Sequence, residues 1–357
     1  MKRALVSAPG KLHLLGEHTV VHERSAIITA VDKRCFVEIS SKKGKRIRIT
    51  SENFKKEVVV SFTEILTRFE KAQKKYEAYT QTNDIALLKS ITKGPYGYAL
   101  LIIGQYINYF KLNSIESFDL KINSQIPIGS GMGSSGALAV SIIGALCLFT
   151  NQKFDKEIIN KIAYLCEQKK HGNPSGGDNT VSCFGGLIWY KKGEKLKPLN
   201  IKISKNIAQN FYIANTGKPA ETTGEMVSRV KSLLQKDQVT TQSIFDDQEK
   251  LVKNLLVVLK KGNADQIQKI IKQGEGNLEK LGVVSIFVQK IIRDIESSNG
   301  AAKICGGGGI KKGTGIILIY SNNLSDLKKV LKTYQLISTR LLLGAEGLRA
   351  EKISDTI

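Results

Sequence analysis

The pattern of apolar and polar positions predicts strands at the start of the chain and helices after them. Residues 3–50 are predicted to form mainly strands and turns, with CFVEIS and RIRIT as β-rich pieces. Apolar residues then recur at helical spacing in FTEILTRFEKAQKKY and GYALLIIGQYINYF. The strand FDLKI and a glycine-rich loop follow, and then two helices, one from about Ser134 to Thr150 and one over roughly 155–169. This half of the chain therefore mixes strands and helices.

The second half of the chain is predicted to be largely helical between residues 219 and 298 and to end in a small sheet. It closes with AAKIC, a glycine loop, GIILIY, the helix LSDLKKVLKTY and ISTRLLL, an order that indicates a sheet covered by helices. No repeat or long low-complexity linker marks a sharp boundary. The prediction is an α+β protein of two lobes, with an N-terminal domain over residues 1–195 and a C-terminal domain over residues 196–357.

The composition is that of an ordinary globular protein. The chain has 357 residues, enough for two modest cores, and 41% of them are hydrophobic. No apolar run approaches the ~18 residues of a membrane span, and the apolar stretch near the N-terminus is too short for a signal peptide. The five cysteines are scattered and form no C-x-x-C pair. We therefore expect a reduced, cytoplasmic protein with neither structural zinc nor a membrane association.

The net charge of +22 raises the question of a nucleic-acid partner. Base recognition and phosphate clamping favour arginine with interleaved aromatic residues. Here lysine far outnumbers arginine, and the positive residues are spread along the chain, as in EKLKPLNIKISKN and SDLKKVLKTYQ. A lysine-rich, solvated surface is the better interpretation, so we expect no nucleic-acid partner, although the positive field would help to collect small anions.

Residues 125–146, QIPIGSGMGSSGALAVSIIGAL, place a glycine- and serine-rich loop directly before an apolar helix. Such a loop leaves backbone N–H groups free at a helix N-terminus, where the helix dipole also favours negative charge, so it predicts a phosphate site. A Walker A loop is excluded because no lysine occurs between Lys121 and Lys153. The dinucleotide pattern G-x-G-x-x-G is present, but polar residues and Pro127 separate it from the preceding strand. A glycine-rich turn without a ligand stays the alternative.

Two further stretches carry residues that are suited to catalysis. In SAPGKLHLLGEHTVVH, strand alternation puts Lys11 and His13 on one face, although a solvated lysine would give the same pattern. The three histidines of this stretch lack the spacing of a metal site. In EQKKHGNPSGGDNTVSCFGG, Asp178 follows Ser175 at the spacing of a capping box, and Glu167 can equally be a surface carboxylate. These alternatives stay open on the residues alone.

Taken together, PGKLHLLGEHTVVH, PIGSGMGSSGAL and HGNPSGGDNTVSCFGG resemble the motifs of the GHMP superfamily of small-molecule kinases. Glu-His in the first and Asn-Pro-Ser-Gly-x-Asp-Asn in the last look most like the mevalonate kinases of that superfamily. TGKPAETTGEMVSRV and AAKICGGGGIKKGTGIILIY stand where the family has its fourth and last motifs, so the resemblance covers nearly the whole chain. It implies an N-terminal lobe of the ribosomal-S5-domain-2 type, a ferredoxin-like C-terminal lobe, and ATP with Mg²⁺ at their junction.

The resemblance also implies which residues bind ATP and the metal ion. Mg²⁺ would be held by Ser135 and Glu167, a hydroxyl and a carboxylate of the kind that this ion prefers. The ATP phosphates would lie in the glycine loop, with an upstream serine as a further contact. These positions correspond to Ser124, Gly129, Ser130, Gly131, Met132, Gly133, Ser134 and Ser135.

The same resemblance implies the reaction, which is transfer of a phosphoryl group from ATP to the primary hydroxyl of mevalonate in isoprenoid biosynthesis. Such a transfer needs little covalent chemistry from the protein. Asp178 would accept or orient the hydroxyl proton, and Lys11 would lower the pKa of that hydroxyl and keep Asp178 ionised. Glu17, His18 and Thr223 match residues that face the hydroxy-acid substrate. Sister kinases that act on phosphomevalonate, homoserine or a sugar, and a non-catalytic ligand-binding relative, stay as alternatives, and a homodimer is left open.

Departures from the family pattern occur in the first and the last motif. Glu23 stands where the family has glycine, and Cys305 replaces a threonine, which removes a hydroxyl near the site. After four glycines at 306–309 the chain continues with the unusual segment IKKGTG. We expect Lys311 or Lys312 to reach the ATP phosphates or the substrate carboxylate, with a solvated turn as the alternative.

Overall fold

The computed structural model of the protein describes residues 2–127, 131–194, 196–199, 201 and 203–353. The strands are β1 (Arg3–Leu15), β2 (Ser25–Ser41), β3 (Arg46–Ser51), β4 (Phe54–Ser61), β5 (Phe118–Ser124), β6 (Leu187–Lys191), β7 (Lys197–Leu199), β8 (Phe211–Asn215), β9 (Gly300–Ile304), β10 (Ile316–Ser321), β11 (Thr339–Arg340) and β12 (Arg349–Ala350). The helices are α1 (Phe62–Thr82), α2 (Ile85–Ile91), α3 (Gly97–Phe110), α4 (Ser134–Phe149), α5 (Lys156–His171), α6 (Gly177–Phe184), α7 (Lys205–Ala208), α8 (Thr223–Lys236), α9 (Gln238–Lys261), α10 (Ala264–Lys280), α11 (Ile286–Ser297) and α12 (Leu324–Thr333). The strand-rich start and the helical second half are both as the sequence predicts.

The first sheet is large and is organised around β2. Its strand order is β12-β1-β2-β5-β3-β4, and β6 also pairs with β2 and carries β7. The 17-residue β2 pairs with β1 over most of its length, with β6 at residues 25–29 and with β5 at residues 35–41. β2 has to be this long because β6 and β5 share the edge that β1 does not occupy.

The helix α4 packs on β1 and β2 and places the glycine loop at one end of the sheet. Most of its side chains are buried, including Ile142, Ile143 and Leu146, and each fully buried aliphatic side chain of this size contributes roughly 1.5–3 kcal/mol. Gly144 allows close contact, since a Cβ there would lie 3.1 Å from a methyl group of Val6. Across the described residues, no helix combines the length and the apolar character that a membrane span requires.

The second sheet has the strand order β11-β8-β10-β9, and its neighbouring strands all run antiparallel. Taken along the chain, the first strand of this lobe lies between the last and the third, which is the ferredoxin-like arrangement. Every residue of β10 is buried. The helices α10 and α11 cover the sheet by packing on β9. The two-lobed fold with a ferredoxin-like C-terminal lobe is therefore confirmed.

The end of the chain returns from the second lobe to the first sheet. β12 pairs with β1, and Arg34 of β2 donates hydrogen bonds of 2.7 Å to the carbonyls of Glu346 and Gly347. β7 also pairs within the first sheet, beside β6. The N-terminal lobe therefore extends past the predicted boundary at 195 and regains a short C-terminal segment. Composition cannot reveal this return, because the segment is too short to carry a pattern of its own.

Candidate active site

Three motifs from separate parts of the chain meet at the N-terminus of α4. The N–H of Lys11 in β1 donates to the carbonyl of Met132 in the glycine loop at 2.9 Å. Gly133 lies against the Lys11 side chain, since a Cβ at that position would be 2.6 Å from Lys11 Cγ. Gly136 touches Asp178 in the same way, with 2.9 Å between its added Cβ and the Asp178 carbonyl carbon. The glycines of the loop are therefore needed where the three motifs pack together.

Lys11 and Asp178 form an ion pair at the centre of this arrangement. Lys11 Nζ lies 2.9 Å from Asp178 Oδ1, and 10% of the lysine side chain and 33% of the aspartate side chain are exposed. Asp178 lies in the first turn of α6, which begins after Gly176 and has no side-chain cap. Ser175 Oγ accepts a hydrogen bond from the N–H of Gly177. The capping-box interpretation of Asp178 is therefore wrong, because the carboxylate contacts Lys11.

Glu167 on α5 faces Ser135 in the first turn of α4. Ser135 Oγ donates to Glu167 Oε2 at 3.0 Å, and the Tyr98 hydroxyl donates to Glu167 Oε1. One turn along α5, His171 Nε2 lies 3.7 Å from Glu167 Oε2 and 3.4 Å from Ser135 Oγ. Since 3% of the Glu167 side chain is exposed, its interpretation as a surface carboxylate is wrong. A buried carboxylate with a hydroxyl beside it offers two adjacent oxygen ligands.

Burial shifts the pKa values of the groups around Glu167. Burial, followed by the negative charge of Glu167, raises the pKa of Tyr98 well above its usual value and keeps the phenol a hydrogen-bond donor. Burial also lowers the pKa of Lys170 and of His171, although Glu167 opposes both shifts. Lys170 Nζ lies 4.2 Å from the centre of the Tyr98 ring. The sequence prediction misses Tyr98, Lys170 and His171 as neighbours of Glu167. For His171 alone, its position four residues after Glu167 on a helix indicates such a contact.

The glycine loop presents the first turn of α4 to the ion pair. Gly133 is the N-cap residue of α4, with φ at 67°. The first N–H groups of this helix therefore have no capping side chain at that position. The N–H groups of a first helical turn have no partner inside the helix, so they suit an anion. Gly131 has φ at 82°, and a Cβ there would lie 3.2 Å from the carbonyl oxygen of Cys305. The loop thus lies between α4 and the last glycine motif.

The other predicted ATP contacts are spread over the approach to this loop. Ser124 ends β5, where its N–H donates to Asn53 Oδ1 and its Oγ accepts from the N–H of Ile126, both at 3.2 Å. Met132 is buried, and Ser134 is the first residue of α4. Two predicted contacts lie outside the described residues, namely Gly129 and Ser130.

The turn that follows β1 is fastened to the C-terminal lobe. Lys303 of β9 donates to Glu17 Oε1, and the two side chains are 0% and 1% exposed. His18 Nε2 lies 3.0 Å from the carbonyl oxygen of Gly307, and burial lowers the pKa of His18 to about 4, so the imidazole is neutral. Thr223 begins α8 against the same glycine, since a Cβ on Gly307 would lie 2.9 Å from Thr223 Oγ1. The residues predicted to face the substrate thus surround the last glycine motif, but Glu17 is closed off by Lys303.

Buried ionisable groups lie behind this turn, and Glu275 among them is missing from the sequence prediction. Glu275 on α10 is fully buried, and its Oε2 accepts a hydrogen bond of 2.9 Å from the N–H of Ile304. Burial raises the pKa of Glu275 to about 8, so it is largely protonated at neutral pH. Burial, followed by the charges of Lys11 and Lys303, lowers the pKa of His13 on β1. One sequence cannot reveal such groups, because lysine and glutamate usually lie on the surface.

The atypical segment after the last glycine motif faces outward. Lys311 and Lys312 are exposed and line a concavity of about 550 Å³ with residues 216–218 and Phe287. No predicted site residue lines this concavity. Within the described part of the chain, neither lysine side chain has a hydrogen bond or ion pair to a predicted site residue. The contacts therefore favour the solvated turn over a direct role for these lysines.

Glu23 affects the backbone more than the chemistry of the site. It follows the short 3₁₀ turn Thr19–His22 with φ at 61°, in the left-handed region. Glycine adopts this conformation freely, whereas another residue loses roughly 1–2 kcal/mol there. The Glu23 side chain is exposed, so this departure from the family pattern adds strain without placing a new group in the site.

Comparisons with known proteins match both the motifs and the fold. The family model of the GHMP kinases N terminal domain matches residues 98–186, which include the glycine loop, Glu167 and Asp178. A mevalonate kinase of Pyrococcus furiosus is 31% identical to this chain, over 86% of this chain and 87% of its own length. The chain belongs to the mevalonate kinase family of GHMP kinases.

Other members of the mevalonate kinase family match over nearly the full length. A mevalonate kinase of Pyrococcus horikoshii is 29% identical and aligns over 99% of both chains. The crystal structure of the Methanococcus jannaschii mevalonate kinase superimposes with a TM-score of 0.79 at 23% identity, over 96% of this chain and 98% of that one. Both lobes of the mevalonate kinase family fold are therefore present.

Proposed function

We propose that this protein is an ATP- and Mg²⁺-dependent mevalonate kinase, which transfers the γ-phosphoryl group of ATP to the primary hydroxyl of mevalonate. The observation that carries the proposal is the ion pair of Lys11 and Asp178, 2.9 Å across, beside the open N-terminus of α4. Phosphoryl transfer requires an aligned hydroxyl and neutralised phosphates, and the ion pair and the helix N-terminus are suited to these two tasks. Membership of the mevalonate kinase family supports the choice of substrate.

The glycine loop and the first turn of α4 would hold the ATP phosphates. Backbone N–H groups and the helix dipole both attract negative charge at this end of the helix. Gly131 and Gly133 have positive φ, which glycine adopts without strain, so the loop can turn its backbone N–H groups toward a phosphate. Ser134 and Ser135 add hydroxyl groups at the same end, and Ser124 would contact the nucleotide from the end of β5.

Ser135 and Glu167 are the residues that would hold Mg²⁺. Their oxygens lie 3.0 Å apart, close enough to serve one ion, and Mg²⁺ prefers such oxygen ligands. Among the described residues Glu167 has no lysine or arginine at ion-pair distance, so its charge is available to a cation. Tyr98 would fix the orientation of Glu167 through the other carboxylate oxygen. When bound, the ion would offset negative charge on the β- and γ-phosphates.

Asp178 would accept the proton of the substrate hydroxyl. One third of its side chain is exposed, so a hydroxyl can reach the carboxylate, and Lys11 holds one carboxylate oxygen in place. As the proton moves to Asp178, the hydroxyl oxygen attacks the γ-phosphorus and the bond to the β–γ bridging oxygen breaks. The ammonium group of Lys11 would stabilise negative charge on the attacking oxygen.

The C-terminal lobe would close the substrate end of the site. Neutral His18 and Thr223 both lie at Gly307 and would contact the hydroxy acid, with Glu17 supporting them from behind. Burial raises the pKa of Cys305 to about 12, so this position presents a neutral thiol. We propose that the predicted N-terminal domain, residues 1–195, carries the ATP and metal ligands, and that the predicted C-terminal domain, residues 196–357, orients the substrate.

A substrate panel tests this proposal. Purified protein is incubated with ATP, Mg²⁺ and one alcohol at a time, namely mevalonate, phosphomevalonate, homoserine or galactose, and release of ADP is measured. We expect kcat/KM for mevalonate to exceed that of every other alcohol by at least about tenfold. This factor corresponds to about 1.4 kcal/mol of discrimination. Turnover of another alcohol without turnover of mevalonate would identify a sister kinase. If none of the four alcohols causes release of ADP, the proposed enzymatic function is contradicted.

A further inference from the structure

Three ionisable side chains are buried together where the two lobes meet. Glu17 follows β1 of the N-terminal lobe, whereas Glu275 on α10 and Lys303 on β9 belong to the C-terminal lobe. Lys303 and Glu275 are 0% exposed, and Glu17 is 2% exposed. We name these three residues the buried charge cluster. Desolvation makes such a cluster unfavourable compared with apolar packing, so its presence next to a substrate site calls for a functional explanation.

Lys303 contacts one of the two carboxylic groups directly and is connected to the other only through the backbone of Ile304. Lys303 Nζ donates to Glu17 Oε1 and, at 2.7 Å, to the carbonyl of Ile304. The N–H of the same Ile304 donates to Glu275 Oε2 at 2.9 Å. Glu17 Oε2 and Glu275 Oε1 have no hydrogen-bond partner within the described part of the chain. The cluster is therefore linked through the end of β9, and each acid keeps one unpaired oxygen.

The cluster controls a tight turn at the substrate end of the site. Gly16 and His18 have positive φ, at 102° and 60°, on either side of Glu17. A Cβ on Gly16 would lie 2.6 Å from the Cα of Ala26, so the turn has no room to shift toward β2. Lys303 holds Glu17, and the carbonyl of Gly307 holds His18. The direction of the His18 ring therefore depends on contacts from the C-terminal lobe.

We propose that Lys303 and Glu275 are positioning residues that hold Glu17 and His18 in place for a carboxylate-bearing substrate. The inference rests on the proposed function, because it takes His18 to face the hydroxy acid. Neither residue touches the reacting atoms. Lys303 acts through Glu17, and Glu275 acts by leaving the positive charge of Lys303 to Glu17.

Charge balance explains why the protonation of Glu275 matters. Lys303 and Glu17 cancel each other's charge, and burial raises the pKa of Glu275 to about 8. The charged or titratable groups that act on Glu275, or on which it acts, are Lys303, Glu17, Glu279, Arg293 and Cys305. Above pH 8 the cluster gains a negative charge, which competes for Lys303 and repels a substrate carboxylate.

Glu275→Gln tests the charge requirement, because glutamine still accepts a hydrogen bond from the N–H of Ile304 but does not ionise. For the wild type, KM for mevalonate should rise by at least about threefold between pH 7 and pH 9, since the ionised form comes to predominate above the pKa. KM for ATP should not follow this rise. In Glu275→Gln the rise in KM for mevalonate should be absent. The same alkaline rise in both proteins would overturn the inference.

Lys303→Met tests the positioning role, with Val288→Ala as the matched control. Val288 is fully buried in the core of the C-terminal lobe and has no place in the site, so its truncation costs stability alone. At a temperature where both variants are folded, Lys303→Met should raise KM for mevalonate at least about tenfold and KM for ATP less than about twofold. Val288→Ala should leave the ratio of the two KM values unchanged. An unchanged ratio in Lys303→Met would overturn the inference.

The two experiments separate this inference from the proposed function. If the wild type does not phosphorylate mevalonate, the proposed function fails. If it does, and both variants keep the wild-type KM ratio and pH profile, only the positioning role of the cluster fails. Should Lys303→Met not fold, the pH profile of Glu275→Gln decides the question.

Discussion

Lys11 Nζ lies 2.9 Å from Asp178 Oδ1, and the side chain of this lysine rests on Gly133 of the glycine loop. Lys11 comes from β1, Asp178 from the first turn of α6, and Gly133 from the residue before α4. The pair is therefore aligned by the packing of three elements and not by any one of them. A substitution that changes this packing should displace the Lys11–Asp178 pair while leaving both charges in the protein.

Gly133→Ala should weaken catalysis by displacing Lys11, and Gly186→Ala provides a matched control. Both glycines have positive φ, at 67° and 70°, so both variants should lose roughly 1 kcal/mol of stability from backbone strain. A Cβ at 133 would stand 2.6 Å from Lys11 Cγ, whereas a Cβ at 186 would meet no atom within 4 Å. We expect kcat to fall at least about tenfold in Gly133→Ala alone. Equal values of kcat in the two variants would speak against this role of the loop.

Glu167→Gln should raise the Mg²⁺ concentration needed for activity, because it removes the charge of one proposed ligand while keeping its shape. The control is Glu157→Gln, which neutralises an exposed carboxylate on the same helix. Titrating Mg²⁺ at saturating ATP should show at least about a tenfold higher half-saturation for Glu167→Gln, as expected when a charged partner is lost. Thermal unfolding should remain cooperative in both variants. An unaltered Mg²⁺ dependence in Glu167→Gln would rule out this metal ligand.

Glu275→Gln should change how stability depends on pH. The pKa of Glu275 is raised from 4.5 to about 8 in the folded protein, so between these values the folded state binds a proton that the unfolded state does not. Stability contributed by this group is therefore lost as pH rises, by up to ~1.4 kcal/mol per pH unit. Urea unfolding at pH 5 to 8 should give a shallower fall in unfolding free energy for Glu275→Gln than for the wild type. Parallel curves would mean that Glu275 is ionised throughout.

Replacing Lys311 and Lys312 together by alanine should leave both KM values within about twofold of the wild type, because no substrate contact is removed. Both lysines line the outer concavity with Phe287, away from the predicted site residues. Steady-state kinetics with ATP and with mevalonate check this expectation. A rise of tenfold or more in one KM would restore the sequence-based prediction that a lysine of this segment reaches the phosphates or the substrate.

The sequence predicts the local elements of the site well. The start of α4 at Ser134 follows from a glycine-rich loop before an apolar run, and Gly133 does adopt the left-handed conformation that precedes the helix. The motifs point to Lys11 and Asp178, and the structure brings their side chains together. These features depend on short stretches of sequence, in which residue type and spacing carry the information.

Features that depend on distant pairing are not predictable in the same way. Glu275 and Lys303 look like ordinary surface residues in the sequence, and only the packing of α10 and β9 buries them. The return of the C-terminal segment to Arg34 likewise depends on tertiary contacts. Tyr98 lies on the apolar helix α3, where the sequence does not indicate a hydrogen-bond partner for its hydroxyl. In the structure this hydroxyl donates to Glu167.

Kinetics of Asp178→Asn test the catalytic role of the Lys11–Asp178 pair, with Asp155→Asn as the control. Asp155 is a true helix cap, accepting from the N–H groups of Glu157 and Ile158, and asparagine caps a helix about as well. Asp155→Asn should therefore keep wild-type turnover. Asp178→Asn loses the proton acceptor and the charge opposite Lys11. Because a general base typically contributes ~10²–10⁴-fold to the rate, kcat should fall at least about a hundredfold. Binding of ATP should be retained. A kcat for Asp178→Asn within about threefold of the wild type would contradict the catalytic role of Asp178, since a general base contributes far more than that.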